Sequence, residues 1–224
     1  MPKILKEKPV KIPVDKVILK GNLMIPKDAK GIVLFAHGSG SSRLSPRNRY
    51  VARVLQKAGL ATLLMDLLTE KEETVDMITA EFRFDIKMLA NRLSKATIWL
   101  KKNNKTKNLN LGYFGSSTGA SAALIAAAKH PNDIKAVVSR GGRPDLSIPY
   151  LSKVRAPTLL IVGGDDVVVI EMNKKAIKHF QTVTKLKIVP GATHLFEEPG
   201  KLKEVARLAT EWFKRYLISV KKNN

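Results

Sequence analysis

Gly115-Ser116-Ser117-Thr118-Gly119 lies directly after the apolar run 109–114 and directly before the alanine-rich stretch 120–129. This order predicts a strand, a sharp turn and a helix, with Ser117 at the apex of the turn. Small residues on both sides let the backbone turn tightly, so the Ser117 hydroxyl would stand clear of the sheet. The Thr118 amide would lie at a helix N-terminus, where unpaired N–H groups favour negative charge. The pattern indicates a nucleophile for acyl transfer, and a plain helix N-cap is the alternative it leaves open.

Around this turn, apolar runs bounded by Gly or Pro alternate with stretches of helical period. The alternation predicts one α/β domain over residues 1–224, with a mostly parallel sheet and helices on both faces. Strands are predicted at 10–14, 17–25, 31–36, 61–65, 109–114, 134–139, 158–163 and 186–189; helices are predicted to begin near Ser45 and to run over 77–102 and 202–217. The first two strands should pair antiparallel at the sheet edge, and the first of them lies in a lysine-rich segment, 1–16. The connection 140–157 is too short for a large lid domain, so an open site is expected.

The composition excludes several kinds of site. The chain has 224 residues and no cysteine, which excludes disulfides, thiolate metal sites and a cysteine nucleophile. Residues 1–30 contain neither a secretory signal nor an apolar segment of membrane-spanning length, so we expect a cytoplasmic protein without membrane insertion. No pattern calls for a metal or an organic cofactor. The oligomeric state is left open.

The chain carries a formal net charge of +21, from 40 Lys and Arg against 19 Asp and Glu. Such a charge would suit a polyanionic partner. However, the lysines are scattered, with groups at 3–20, 101–107 and 221–222, and aromatic residues do not interleave with them. No helix-turn-helix, zinc-finger or RNP pattern accompanies them. We therefore expect a solvated lysine surface rather than a specific nucleic-acid site.

A serine nucleophile needs a histidine base and an orienting carboxylate. His194 follows the last predicted strand, and ligands of open parallel sheets bind at the carboxyl ends of strands, where Ser117 is also expected. His130 and His179 fall at predicted helix ends, where position alone explains them. Asp165 and Asp166 follow the strand 158–163 at the same edge, and either could serve as the acid. The chain order serine, aspartate, histidine is that of an α/β-hydrolase.

An oxyanion hole is the second requirement, since such donors stabilise the charge that develops on the substrate carbonyl. The amide of Thr118 is one expected donor. The other is assigned to the amide of Ser39, in the glycine-rich loop 37–40 that follows the predicted strand 31–36. His37 is expected to brace this loop through its ring rather than to react.

Four motifs carry a resemblance to a known family: 35–40 (FAHGSG), 115–119 (GSSTG), 163–169 (GGDDVVV) and 191–194 (GATH). Together they resemble the α/β-hydrolase superfamily, and within it the small lidless dienelactone hydrolase-like group. The resemblance implies an α/β-hydrolase fold and hydrolysis of carboxylic esters. Its G-x-x-D-x-x-V pattern falls on Gly163, Asp166 and Val169 and favours Asp166 as the acid. Dienelactone hydrolases proper use a cysteine nucleophile, so Ser117 marks a departure from them.

Arginines are also expected near this edge. Arg140 and Arg143 follow the strand 134–139, and Arg43 follows the oxyanion loop. Their guanidinium groups are candidates for binding a substrate carboxylate, and pairing with Asp145 or with backbone carbonyls is the alternative. The predicted function is a serine hydrolase of small esters or thioesters, acting through an acyl-enzyme on Ser117. A basic, non-catalytic protein that binds polyanions on a hydrolase scaffold is the other hypothesis.

Overall fold

The computed structural model describes residues 7–218, and within this range eight strands form one mixed sheet. The strands are β1 (Lys8–Val14), β2 (Val17–Met24), β3 (Gly31–Ala36), β4 (Ala61–Met65), β5 (Asn110–Ser116), β6 (Ile134–Arg140), β7 (Thr158–Gly163) and β8 (Thr184–Val189). Their order across the sheet is β1-β2-β4-β3-β5-β6-β7-β8. β2 pairs antiparallel with β1 and with β4, whereas the pairs from β4 to β8 are all parallel. The predicted mostly parallel sheet with an antiparallel edge is confirmed. The parts of the predicted lysine-rich surface at residues 1–6 and 219–224 lie outside the described residues.

Helices cover both faces of the sheet. They are α1 (Pro46–Lys57), α2 (Glu70–Thr79), α3 (Ile86–Lys102), α4 (Thr118–Lys129), α5 (Ile148–Leu151), α6 (Val167–Ile177) and α7 (Lys201–Phe213), with a 3-10 turn at Pro144–Ser147 and a π-helical turn at Lys214–Ile218. Successive side chains of β3 point to opposite faces, as a strand requires. Ile32 and Leu34 pack in the core shared with α3 and α4, whereas Val33 and Phe35 pack in the core shared with α1 and α7. A strand apolar on both faces therefore lies at the centre of the sheet.

The predicted long helix 77–102 is wrong, because two helices occupy this region. α2 begins earlier, at a capping box in which Thr69 and Glu72 satisfy each other's backbone amides. It ends at Ala80, which is left-handed with φ 56°. The Asp76 carboxylate then accepts hydrogen bonds from the amides of Phe82 and Arg83, and α3 begins after Asp85. Side-chain to backbone bonds of this kind compete with helix continuation, and the hydrophobic period does not reveal them.

The order of the strands determines where a binding crevice forms. β4 lies on one side of β3 and β5 lies on the other, so the chain reverses direction across the sheet at β3. A crevice forms at the carboxyl ends of strands where the order reverses in this way. The loop after β3 and the turn after β5 therefore meet at this edge.

Gly119 allows the turn after β5 to approach the loop after β3 closely. A Cβ atom at this position would lie 2.3 Å from the carbonyl oxygen of His37 and 2.5 Å from that of Ala36. Backbone oxygens of a central strand cannot yield as the end of a side chain can. A side chain at residue 119 would consequently push the turn after β5 away from the loop after β3.

We expect Gly119→Ala to lower the free energy of unfolding by about 3 kcal/mol, since overpacking against rigid backbone costs this order of energy. Gly59→Ala is the matched control, because residue 59 has φ 85° and nothing within 4 Å of an added Cβ. Its left-handed strain alone should cost about 1 kcal/mol. Urea unfolding measures both; equal losses in the two variants would contradict the close approach.

Candidate active site

Ser117 lies between β5 and α4 with φ 50° and ψ −122°, a backbone conformation that non-glycine residues rarely adopt. Such a residue costs of order 1–3 kcal/mol and persists when its surroundings hold it. Here the Ser117 amide donates to the Arg140 carbonyl at 3.2 Å. The Ser117 carbonyl accepts from the amides of Ala120, at 3.1 Å, and Arg143, at 3.3 Å. Bonds on both sides of the residue therefore hold the turn, while its hydroxyl bonds to none of residues 7–218.

His194 and Asp166 meet at the same edge of the sheet. Asp166 follows β7 and His194 lies in the loop after β8, and the Nδ1 atom of His194 is 2.6 Å from Oδ2 of Asp166. The Asp166 side chain is 15% exposed and that of His194 is 38% exposed. Asp165 is exposed, and its side chain has no hydrogen-bond partner in the described chain. The structure thus joins the histidine to Asp166 rather than to Asp165.

The second ring nitrogen of His194, Nε2, forms no hydrogen bond within residues 7–218. The hydrogen bond between Ser117 and His194 that proton transfer requires is therefore not formed in this structure. Catalytic hydrogen bonds are often long in the absence of substrate. Gly141 lies against the ring, since a Cβ there would be 3.3 Å from Cε1 of His194.

Glu198 supports the histidine loop and was not expected from the sequence. It accepts hydrogen bonds from the amide and the hydroxyl of Thr193, the residue before His194. The hydrogen bond from the Thr193 hydroxyl is the main reason why the pKa of Glu198 lies below its ordinary value. No motif distinguishes this glutamate from Glu197, so only the loop conformation reveals it.

The two expected oxyanion donors face each other across the crevice. The Ser39 hydroxyl and the Thr118 hydroxyl are hydrogen-bonded at 2.9 Å, which ties the loop after β3 to the first turn of α4. The backbone amides of both residues form no hydrogen bond to other described residues. Both N–H groups are therefore available to a ligand oxygen.

His37 braces the loop that carries Ser39. The Leu67 amide donates to Nε2 of His37 at 2.9 Å, so Nε2 carries no proton and Nδ1 donates to the Gly38 carbonyl at 2.9 Å. Burial is the main cause that lowers the pKa of His37 below its ordinary value. The ring is accordingly neutral, with its tautomer fixed by a backbone amide that can only donate. This geometry fits the bracing role expected of His37.

Two of the three candidate arginines are paired with carboxylates. The amide and the guanidinium of Arg43 both bond the Asp66 carboxylate. Arg143 bonds Asp145 bidentately, at 2.9 Å from Nε and 2.8 Å from Nη2. Pairing of this kind leaves neither guanidinium free, so it does not support the predicted binding of a substrate carboxylate.

Arg140 is buried and has no carboxylate partner among residues 7–218. Its guanidinium donates to the Ser116 hydroxyl and to the Leu195 carbonyl, both at 3.3 Å, and lies 5.9 Å from the centre of the Phe196 ring. Burial, with a smaller effect of Arg47, lowers the pKa of Arg140 to about 10. Arg140 therefore links the serine turn to the histidine loop instead of facing a ligand.

A cavity of about 110 Å³ opens beside the oxyanion donors. It lies between the loop after β3, the residues after β4 and the helix α2. Its lining residues are His37, Gly38, Ser39, Gly40, Ser41, Asp66, Leu67, Leu68, Glu73, Asp76, Met77, Arg83, Leu89 and Thr118. Apolar side chains and carboxylates share its wall, so the cavity suits a small molecule with a polar end.

Within residues 7–218, no group of three or more His, Asp or Glu side chains is placed to hold a metal ion. None of the helices in this range is both long and apolar enough to cross a bilayer.

The sheet order, the serine turn and the residues at the carboxyl edge define an α/β-hydrolase fold. Residues 19–220 match the model of the dienelactone hydrolase family, and the chain belongs to that family. A solved structure of dienelactone hydrolase from Anabaena variabilis is 62% identical, with a TM-score of 0.94 over 95% of this chain and 99% of that one. The lidless serine hydrolase from Xanthomonas campestris, at 18% identity and TM-score 0.74 over 98% of both chains, shares the fold. So does Est1E from Butyrivibrio proteoclasticus, solved with ferulic acid, at 17% identity and TM-score 0.79 over 94% of this chain and 100% of that chain.

Two curated relatives carry a different name. They are described as putative phosphoribosyl transferases from two strains of Mycobacterium tuberculosis, and each is 54% identical over 209 residues. The match covers 93% of this chain and 46% of theirs. The chain thus spans about half the length of these relatives.

The neutral, buried His37 makes stability depend on pH. Its folded pKa lies below the unfolded value of 6.5, so the unfolded chain takes up the proton first and stability falls as pH drops below about 6.5. His37→Gln removes the dependence of stability on pH that comes from this imidazole. We expect the stability advantage of the wild type over His37→Gln to shrink by up to about 2 kcal/mol between about pH 7 and pH 5. Chemical denaturation at each pH measures it, and a constant difference would contradict a neutral His37.

Proposed function

We propose that this protein is a serine hydrolase that cleaves small carboxylic esters or thioesters through an acyl-enzyme on Ser117. The observation that carries the proposal is the 2.6 Å contact between His194 and Asp166, at the sheet edge where the strained turn presents Ser117. Membership of a hydrolase family supports the same reaction class.

In the proposed reaction, His194 takes the Ser117 proton at Nε2 while the serine oxygen attacks the substrate carbonyl. Asp166 holds the proton on Nδ1 and stabilises the imidazolium that forms. The amides of Ser39 and Thr118 donate to the carbonyl oxygen as it becomes negative, aided by the N-terminus of α4.

His194 then gives its proton to the departing alcohol or thiol, which leaves an ester on Ser117. In the second half of the reaction, a water loses a proton to His194 and attacks the acyl carbon. The Ser117 oxygen leaves, takes the proton back, and the carboxylic acid is released. Each step uses the same two ring nitrogens and the same pair of amides.

The name of the curated relatives supports no second function for this chain. The chain corresponds to about half of their length, and this chain belongs to the dienelactone hydrolase family. We therefore do not propose phosphoribosyl transfer for it.

An alkyl fluorophosphonate tests the nucleophile. We expect one phosphonyl group per chain on the native protein, and none on Ser117→Ala, because the probe needs an activated hydroxyl. Ser152→Ala is the control and should be labelled like the native protein, because Ser152 is an exposed serine at the end of α5. Intact-protein mass spectrometry gives the stoichiometry. A native protein that stays unlabelled would rule out the hydrolase.

The neighbouring aspartates test the triad. Asp166→Asn should lower kcat on a p-nitrophenyl ester by about 10⁴-fold, the loss seen when a triad carboxylate is neutralised. Asp165→Asn should stay within about twofold of the wild type, because its side chain is exposed and has no partner in the described chain. A larger loss of kcat in the Asp165 variant would overturn the assignment of Asp166.

A further inference from the structure

The cavity beside the oxyanion donors lies on the acyl side of the proposed reaction. Ser39 and Thr118 line it, whereas His194 is not among its lining residues. A leaving group must lie next to His194 to receive its proton. In the proposed reaction, the side of the carbonyl group away from His194 would face this cavity, so the cavity would take the acyl chain of the substrate. The volume of the cavity is about 110 Å³.

Two of the three carboxylates in the cavity wall are neutralised within the protein. Asp66 is paired with Arg43. Asp76 is paired with Arg83, whose Nε lies 2.7 Å from the carboxylate. Burial opposes the ionisation of Asp76, but hydrogen bonds from Arg83 and Phe82 hold the pKa of Asp76 below its ordinary value. Each of these carboxylates thus has its own arginine.

Glu73 is the third carboxylate, and it has no such partner. It is half-buried, lines the cavity, and its side chain forms no hydrogen bond or ion pair within residues 7–218. The three carboxylates of the cavity wall, counted with the two arginines that pair with Asp66 and Asp76, leave one net negative charge, in a chain whose net charge is +21.

The helix α2 directs Glu73 to the cavity. Residues three or four apart share a helix face, and Asp76 and Met77 line the same cavity as Glu73. The other acids of the first turn have separate roles: Glu70 pairs with Lys20, and Glu72 closes the capping box and pairs with Arg92. Helix capping and the helix dipole are already served by those two residues.

We infer that Glu73 makes the acyl pocket selective for substrates whose acyl chain ends in a cationic group, such as an ammonium. This inference rests on the proposed serine hydrolase. A carboxylate-terminated acyl chain would meet Glu73 as a like charge, whereas an ammonium would complete the ion pair that the protein leaves open. The apolar side chains of Leu68 and Met77 line the same cavity and would contact the methylene groups.

The test uses three p-nitrophenyl esters whose butanoyl chains end in a trimethylammonio, a tert-butyl or a sulfonate group. The first two have the same shape and differ in charge. We expect kcat/KM for the cationic ester to exceed that for its neutral isostere by about tenfold, the size expected of one half-buried ion pair. The sulfonate ester should be the slowest of the three.

Glu73→Gln should bring the ratio of cationic to neutral ester close to one, and Glu73→Lys should invert it. Glu81→Gln is the matched control, because Glu81 is an exposed, unpaired carboxylate just beyond α2 that does not line the cavity. It removes the same charge and should leave the ratio at about ten. A ratio that changes equally in Glu81→Gln would show a general charge effect and would overturn the role of Glu73.

Fluorophosphonate labelling of the same samples separates this inference from the proposed function. Labelling and hydrolysis of the neutral ester, with no cationic preference in the wild type, would remove the inference and leave the hydrolase standing. Failure of labelling and of hydrolysis of all three esters would remove both.

Discussion

The strained backbone of Ser117, with φ 50° and ψ −122°, is the constraint on which the rest of the site depends. A non-glycine residue at φ 50° is held there by backbone hydrogen bonds from both sides and by the close approach of α4 to the end of β3. That approach has room for no Cβ at Gly119. The same contact brings the loop with Ser39 alongside the first turn of α4, so a single packing constraint both exposes the hydroxyl and assembles the two amide donors.

Polar side chains then hold the loops of the carboxyl edge in register. His37 joins the loop after β3 to the chain after β4 through the Leu67 amide, and Asp66 holds the same loop through Arg43. Arg140 joins the serine turn to the histidine loop and is a buried cation with no carboxylate partner among the residues that the structure describes. Burying a charge is costly unless hydrogen bonds and aromatic contacts offset it, as Ser116, Leu195 and Phe196 do here. The arginines at this edge thus form hydrogen bonds with other groups of the protein.

Charge is distributed unevenly between the surface and the site. Lysines of the group at 101–107 and of the edge strand β8 are exposed, where water solvates them at little cost. At the cavity, by contrast, carboxylates outnumber the arginines that pair with them. The overall charge of a chain therefore predicts its solvation and its weak adhesion to polyanions, but it does not predict the sign of the potential in a pocket.

The sequence by itself determined the sheet, the serine turn and the order of the candidate catalytic residues, because these follow from local patterns of apolar, glycine and serine residues. It did not reveal the break between α2 and α3, because that break depends on the Asp76 carboxylate bonding amides six and seven residues further on. The family pattern favoured Asp166, and the tertiary structure showed that Asp166 contacts His194. The tertiary structure alone decided which arginines are paired and which carboxylate of the cavity has no partner in the described chain. Those outcomes depend on side chains from distant segments meeting at one edge of the sheet, and sequence spacing does not encode such meetings.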